Sequence, residues 1–268
     1  TLSSSSAASD VYKRQIPLWL FKDRIVAIST VLIFLTGIGM FGGIIFIPLF
    51  FQGVLGATAT ASGSFLTPMM LGQVTGSFVS GQALSRTGGH YRLQGAIGIA
   101  IMALGMALIS RMTVETSYAR AVLNIIITGF GLGITMPLYI IAVQNVVPYN
   151  VLGVATSSTS FLRSIGGSVG LAIFGSVMSN RFATELVNGI PPAIRAVIPP
   201  EQLASLAHNP QALVSTGAQA QLQGILEKFG AQGAQAFPQL LEVLRQSLAS
   251  ALSQVFLIGL FILVVAFI

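Results

Sequence analysis

The chain has no cysteine and little charge: of its 268 residues only 7% are Asp, Glu, Lys or Arg, against ~25% in a soluble domain. The missing cysteine excludes disulfide scaffolds, thiolate metal sites and a cysteine nucleophile. Acids are the scarcer sign, seven against thirteen Lys and Arg, and residues 25–85 contain neither. A charge-free stretch of that length excludes an ordinary soluble core. It holds two spans of the ~20 residues needed to cross ~30 Å of hydrocarbon. Histidine occurs only at His90 and His208, and no His, Asp and Glu share metal-ligand spacing. What fills the space is apolar: 53% of residues are hydrophobic and the mean hydropathy is +0.83.

The formal charge of +6 does not point to nucleic acid, because the basic residues are scattered at the ends of apolar runs with no aromatic interleaving. They divide the chain into six candidate spans, 26–50, 58–84, 93–109, 121–143, 151–178 and 247–268. Continuous apolar runs, rather than alternating segments of about ten residues, select helices over a barrel. The expected fold is therefore an all-α membrane protein, a bundle of six transmembrane helices. Lys13, Arg14, Lys22 and Arg24 precede the first span, and Arg86 and Arg92 lie between the second and third. By the positive-inside bias both sites are cytoplasmic, an even number of spans returns the C-terminus to that side, and residues 181–246 fall outside the cell. That outer segment balances Arg181, Arg195, Lys228 and Arg245 against Glu185, Glu201, Glu227 and Glu242. Asn209 and Pro210 resemble a helix start, and Leu222, Ile225, Leu226 and Phe229 form a stripe beyond it, so a surface amphipathic helix is expected there.

The chain divides into a polar Ser- and Ala-rich leader at 1–15, read as non-native, five spans over 16–180, the outer loop 181–246 and a last, truncated span at 247–268. The first residue is not Met and the last apolar run stops at Ile268, which reads as a fragment. Within the spans small residues replace polar chemistry. Gly72 and Gly76, with Ser80 one turn on, and Gly166 and Gly170 are spaced to let helix backbones approach in lipid. Pro68 and Pro137 sit inside spans, where proline removes a backbone hydrogen bond and bends the helix. Two enzyme-like patterns do not hold. Gly37, Gly39 and Gly42 spell a dinucleotide fingerprint with no preceding strand and no acid ~20 residues on. Ser168 sits in a Gly-x-Ser-x-Gly pattern, but a nucleophile elbow needs a strand-to-helix turn with His and acid partners.

Residues 81–92, GQALSRTGGHYR, resemble the second-half copy of the cytoplasmic loop motif of the major facilitator superfamily: Gly81, Leu84, Arg86, Gly88 and Arg92 match it. Ser85 stands where the first-half motif carries Asp. Residues 129–148 and 153–178 resemble the fourth and fifth spans in the second half of the fourteen-span drug:proton antiporter branch, as does the long loop before the last span. The resemblance covers 16–268 and implies a C-terminal half whose N-terminal half lies elsewhere in the same transporter. It also implies a bacterial inner-membrane location, a small-molecule substrate exported by alternating access, no cofactor, and a proton gradient as energy source. Arg86 and Arg92 read equally as positive-inside anchors or as a conformational latch.

Aromatic and sparse polar groups near span centres make Phe34, Phe41, Gln73, Tyr139 and Ser158 candidates for a mostly apolar substrate pathway, with core packing as the alternative for each. Arg163 is the one charge deep in a span, ~18 Å from Val151 at about 1.5 Å per residue. It either snorkels to the headgroups or meets an anionic group from outside these spans, since no acid lies in them. An exporter of amino acids, lipids or siderophores and a non-transporting scaffold or channel subunit are the alternatives to drug export. A membrane enzyme would need clustered polar groups at span ends, which the sequence lacks.

Overall fold

The computed structural model describes residues 18–58, 64–191, 224 and 230–268. Among the described residues six α-helices follow a short 3-10 turn at Leu18–Lys22: α1 Arg24–Gly53, α2 Leu66–Thr87, α3 Tyr91–Ser110, α4 Tyr118–Val146, α5 Leu152–Gly189 and α6 Gly230–Phe267. A second 3-10 turn, Tyr149–Val151, leads into α5, and no strand occurs among the described residues. Asp23 starts α1 as its N-cap: one carboxylate oxygen accepts hydrogen bonds from the Ile25 and Val26 N–H groups at 2.8 and 3.2 Å. Such a cap is worth ~1 kcal/mol and places a negative charge at the positive end of the helix.

Five of the helices are long and apolar enough to cross a membrane, and the chain is a multi-pass membrane protein. The exception is α2, expected as the second of six spans. Its 22 residues are long enough, but Gln73, Thr75, Ser77, Ser80 and Gln82 dilute its apolar content. Partners within the bundle take up much of that polarity. The Ser77 hydroxyl donates to the Gly133 carbonyl at 2.9 Å, Gln73 donates to the Met136 sulfur at 3.3 Å, and Thr75 donates to its own helix.

Helix α6 packs on α1, α3 and α5, α3 packs on α4, α5 packs on α1, and α2 rests almost entirely on α4. The core runs along α6 through Leu244, Leu248, Leu252, Phe256 and Leu263 and meets Phe50, Met102, Met106 and Phe174. It continues past the expected end of the fifth span: Phe182 and Leu186 are fully buried and pack in the same core as Leu240 and Leu244. Residues 181–189 and 230–246 are therefore helical where a loop was expected. Charge marks where a helix leaves lipid, and an apolar stripe carries it further. The amphipathic stripe Leu222, Ile225, Leu226 and Phe229 and the leader 1–15 lie outside the described residues.

Two further expectations change. Pro68 is the third residue of α2, in the first turn, where an N–H has no intrahelical partner to lose, so it does not kink the helix. Pro137 does lie inside α4 and Pro48 inside α1. Gly81, expected in the cytoplasmic loop from its match to the motif, lies within α2, with open space around the place of a side chain. The turn is made by Gly88 and Gly89, at φ +66° and +93°. In this left-handed region a glycine carries no steric penalty.

Candidate functional site

Two seams of glycine hold the parts of the bundle that carry the candidate residues. On α2, a methyl added at Gly72 would lie 2.5 Å from the Ile126 carbonyl oxygen, and one at Gly76 would strike that of Phe130. From the opposing α4, methyls at Gly129 and Gly133 would strike the carbonyls of Met69 and Gln73. The two backbones interlock through four glycines, a close approach that lipid rewards through dispersion and not through hydrophobic drive. Sequence reading found one side of this seam; Gly129 and Gly133 carry the same spacing and are its counterpart.

The second seam joins α1 to α5. A methyl at Gly37 would lie 2.7 Å from the Arg163 carbonyl oxygen and 3.3 Å from the Arg163 Cγ. Gly166 abuts the Phe34 backbone, Gly167 the Phe41 ring, and Gly170 the Ile38 side chain. Phe34, Phe41 and Arg163 thus stand along one seam, each partly exposed. The Arg163 guanidinium reaches, among the described residues, only the Ser160 hydroxyl, at 3.4 Å. Among the described residues the one ion pair is Arg181 with Glu185, and no carboxylate faces Arg163.

The other candidates are placed apart. Gln73 lies in the α2–α4 seam. Tyr139 is buried on α4 with its hydroxyl 3.0 Å from where a Gly95 methyl would stand on α3, and among the described residues that hydroxyl has no hydrogen-bond partner. Ser158 is buried and donates back to the Val154 carbonyl at 2.7 Å. In the loop motif, Arg86 is exposed in the last turn of α2, Arg92 is exposed in the first turn of α3, and Leu84 packs against the core. Beside them polar side chains tie the helix ends together. Asn145 donates to the Tyr91 hydroxyl at 2.5 Å, Gln94 to the Ser80 carbonyl at 2.9 Å, and Gln144 to the Thr156 hydroxyl at 3.1 Å.

The enzyme-like patterns resolve into packing. Gly37 faces α5, Gly39 faces Met102 and Leu263, and Gly42 faces the Phe174 ring. Ser168 lies inside a helix, exposed, donating to the Ser164 carbonyl at 3.1 Å. Among the described residues no three His, Asp or Glu side chains converge as metal ligands.

A sequence profile described as the Major Facilitator Superfamily matches residues 4–171, which include the first four helices and the Arg163 seam. The chain belongs to this superfamily. Similar major facilitator proteins include the multidrug transporter protein MdtP of Bacillus subtilis, 33% identical over 255 residues, 93% of this chain and 46% of that protein. Multidrug resistance protein 3 of the same organism is 38% identical over 171 residues, 64% of this chain and 33% of its own. A tetracycline resistance determinant of Streptomyces rimosus is 32% identical over 163 residues, 61% of this chain and 47% of its own. The chain thus spans less than half the length of these relatives. As a major facilitator chain it presents its α2 face, with Met70, Leu71, Val74 and Phe78 all exposed, to whatever lies beside this bundle.

Proposed function

We propose that this chain is the C-terminal six-helix half of a proton-coupled exporter of lipophilic or cationic compounds, operating by alternating access in a bacterial inner membrane. The observation that carries the proposal is the alignment with a multidrug transporter over 93% of the chain. The α1–α5 seam supports it: Phe34, Phe41 and Arg163 stand along it, each partly exposed, and aromatic side chains with one polar group are the composition of a small-molecule site. Helices that carry a proline inside them, Pro48 and Pro137, and are joined by smooth glycine seams suit rocking of one half against the other. Each described acid is exposed or already engaged: Asp23 caps α1, Glu115 lies between α3 and α4, Glu185 pairs with Arg181 near the end of α5, and Glu242, the thirteenth residue of α6, is exposed and accepts from Gln246. We therefore assign the proton-carrying carboxylates to the complementary half.

The test is a chimaera in which this chain replaces the aligned 255-residue segment of MdtP. Within it, Phe34→Ala, Phe41→Ala and Gln73→Ala are expected to change which compounds are exported more than they change the amount of protein. Tyr139→Ala, which empties a packed site against Gly95, is expected to lower the amount instead, by a loss of ~3–5 kcal/mol typical of buried aromatics. Uniform loss of abundance across the first three, with the substrate profile intact, would make them packing residues.

Orientation has its own test. Because the chain has no native cysteine, a single cysteine at 86, 113 or 221 can be labelled without background. Position 86 is expected to react only from the cytoplasm, and 113 and 221 only from outside. Labelling of 86 and 113 from the same side would break the proposed topology.

A further inference from the structure

At the end of the bundle opposite Arg86 and Arg92, a cleft of about 500 Å³ opens between the last turn of α3 and the first turn of α4. Its lining includes the apolar Leu108, Met112 and Leu123 and the charged Arg111, Arg120 and Glu115. The walls are fixed by local bonds. The Thr113 N–H donates to the Thr116 hydroxyl at 2.8 Å, the Thr116 N–H returns to the Thr113 carbonyl at 3.1 Å, and the buried Asn124 amide holds the Leu108 carbonyl at 3.3 Å. Neither arginine forms an ion pair with a described acid, Glu115 included.

Their positions require explanation. Arg111 caps the C-terminus of α3, where a cation suits the helix dipole, but Arg120 is the third residue of α4, at the positive end where a cation is disfavoured. The positive-inside bias does not account for it either, because this is the side away from the Arg86 loop. Below the cleft, Leu104 one turn before Leu108 and Ile126 near Leu123 continue an exposed apolar surface down both helices.

We infer that this cleft binds the phosphate headgroup of an anionic phospholipid, with Arg111 and Arg120 on the phosphate and an acyl chain along Leu104 and Leu123. The site goes beyond the transport reading and does not depend on it, since binding is measured without transport. Only the leaflet, the one opposite Arg86, follows from the proposed orientation.

The test uses the purified full chain in micelles of phosphatidylcholine and phosphatidylglycerol, with retained lipid counted by native mass spectrometry. Each surface arginine is worth a factor of about five toward an anionic lipid, so Arg111→Gln with Arg120→Gln is expected to weaken phosphatidylglycerol retention roughly thirty-fold. Replacing both by Lys should keep most of it. Glu115→Gln should strengthen retention about five-fold, a gain that misfolding cannot produce. Inorganic phosphate should leave the bound lipid in place. Equal retention by the parent and the double Gln variant would overturn the inference. So would displacement of the lipid by inorganic phosphate, which would assign the cleft to a free anion.

Discussion

Gly133→Leu is expected to strip α2 from the bundle and destroy the folded protein, while Gly81→Leu in the helix it would detach keeps stability or raises it by up to ~1 kcal/mol. Both replacements put the same side chain in place of a helical glycine, and propensity favours both by ~1 kcal/mol. Space decides the outcome. At Gly81 a new Cβ meets nothing, whereas at Gly133 it meets the Gln73 carbonyl oxygen, with the carbonyl carbon at 2.8 Å and the Cα at 2.9 Å. Those are backbone atoms and cannot rotate away. Overpacking of a core costs ~1–3 kcal/mol when side chains can give, and here they cannot. Among the described residues helix α2 also has little other support, since it touches α3 only slightly. Gly76→Leu, from the opposite wall, should behave in the same way. Thermal unfolding of the purified chain, followed by loss of its monodisperse peak, measures the effect. A Gly133→Leu protein that unfolds where the parent does would remove the glycine seam from the architecture.

The membrane fold was legible because charge and lipid are incompatible. Arg24, Arg86, Arg111 and Arg120 stand at or near helix ends, and the gaps between charges located α1, α3 and α4 to within about three residues. The same signal failed at α5 and α6. Outside lipid a helix is sustained by packing, and Phe182, Leu186, Leu240 and Leu244 extend both helices through residues whose charges looked like a loop. Pro68 misled for a related reason: its effect depends on whether it falls before or after the first turn, and the sequence does not mark where α2 begins. The candidate site was legible only in pieces. The spacing of Gly72 and Gly76 announces a close approach but not the partner, and the pairing with Gly129 and Gly133 is a property of topology. Phe34, Phe41 and Arg163 were chosen separately, for aromaticity and for charge. Their adjacency comes from Gly37, Gly166 and Gly167, which draw α5 against α1.

The second large effect is expected at Arg163. In the MdtP chimaera, Arg163→Ala should reduce export to background while the protein still reaches the membrane in normal amount, and Arg163→Lys should keep part of the activity. Arg163 stands eleven residues into α5, about 16 Å along the helix at ~1.5 Å per residue. A cation held there costs at least ~2.5–3.5 kcal/mol unless something answers it. Its stem is packed against Gly37, so the guanidinium is not free to leave by the whole length of the side chain. The Ser160 hydroxyl at 3.4 Å is a weak partner, which leaves capacity for an anionic group from the complementary half or from the substrate. Removing one member of such a desolvated pair costs ~3–5 kcal/mol, more than enough to silence export. Lys retains the charge and the stem but loses the planar fork, hence the partial activity. Export at the parental rate by the Ala chimaera, at equal membrane level, would return Arg163 to the role of an interfacial anchor.

Export by the unmodified chimaera tests the central claim most directly. Cells lacking their own pumps would carry MdtP, the chimaera, or neither, and would be loaded with a fluorescent lipophilic cation. The expected result is energy-dependent loss of the dye from chimaera cells as from MdtP cells, abolished when a protonophore collapses the proton gradient. A chimaera that reaches the membrane in the same amount as MdtP, yet retains dye like cells carrying neither, would contradict the assignment of this chain as half of a proton-coupled exporter.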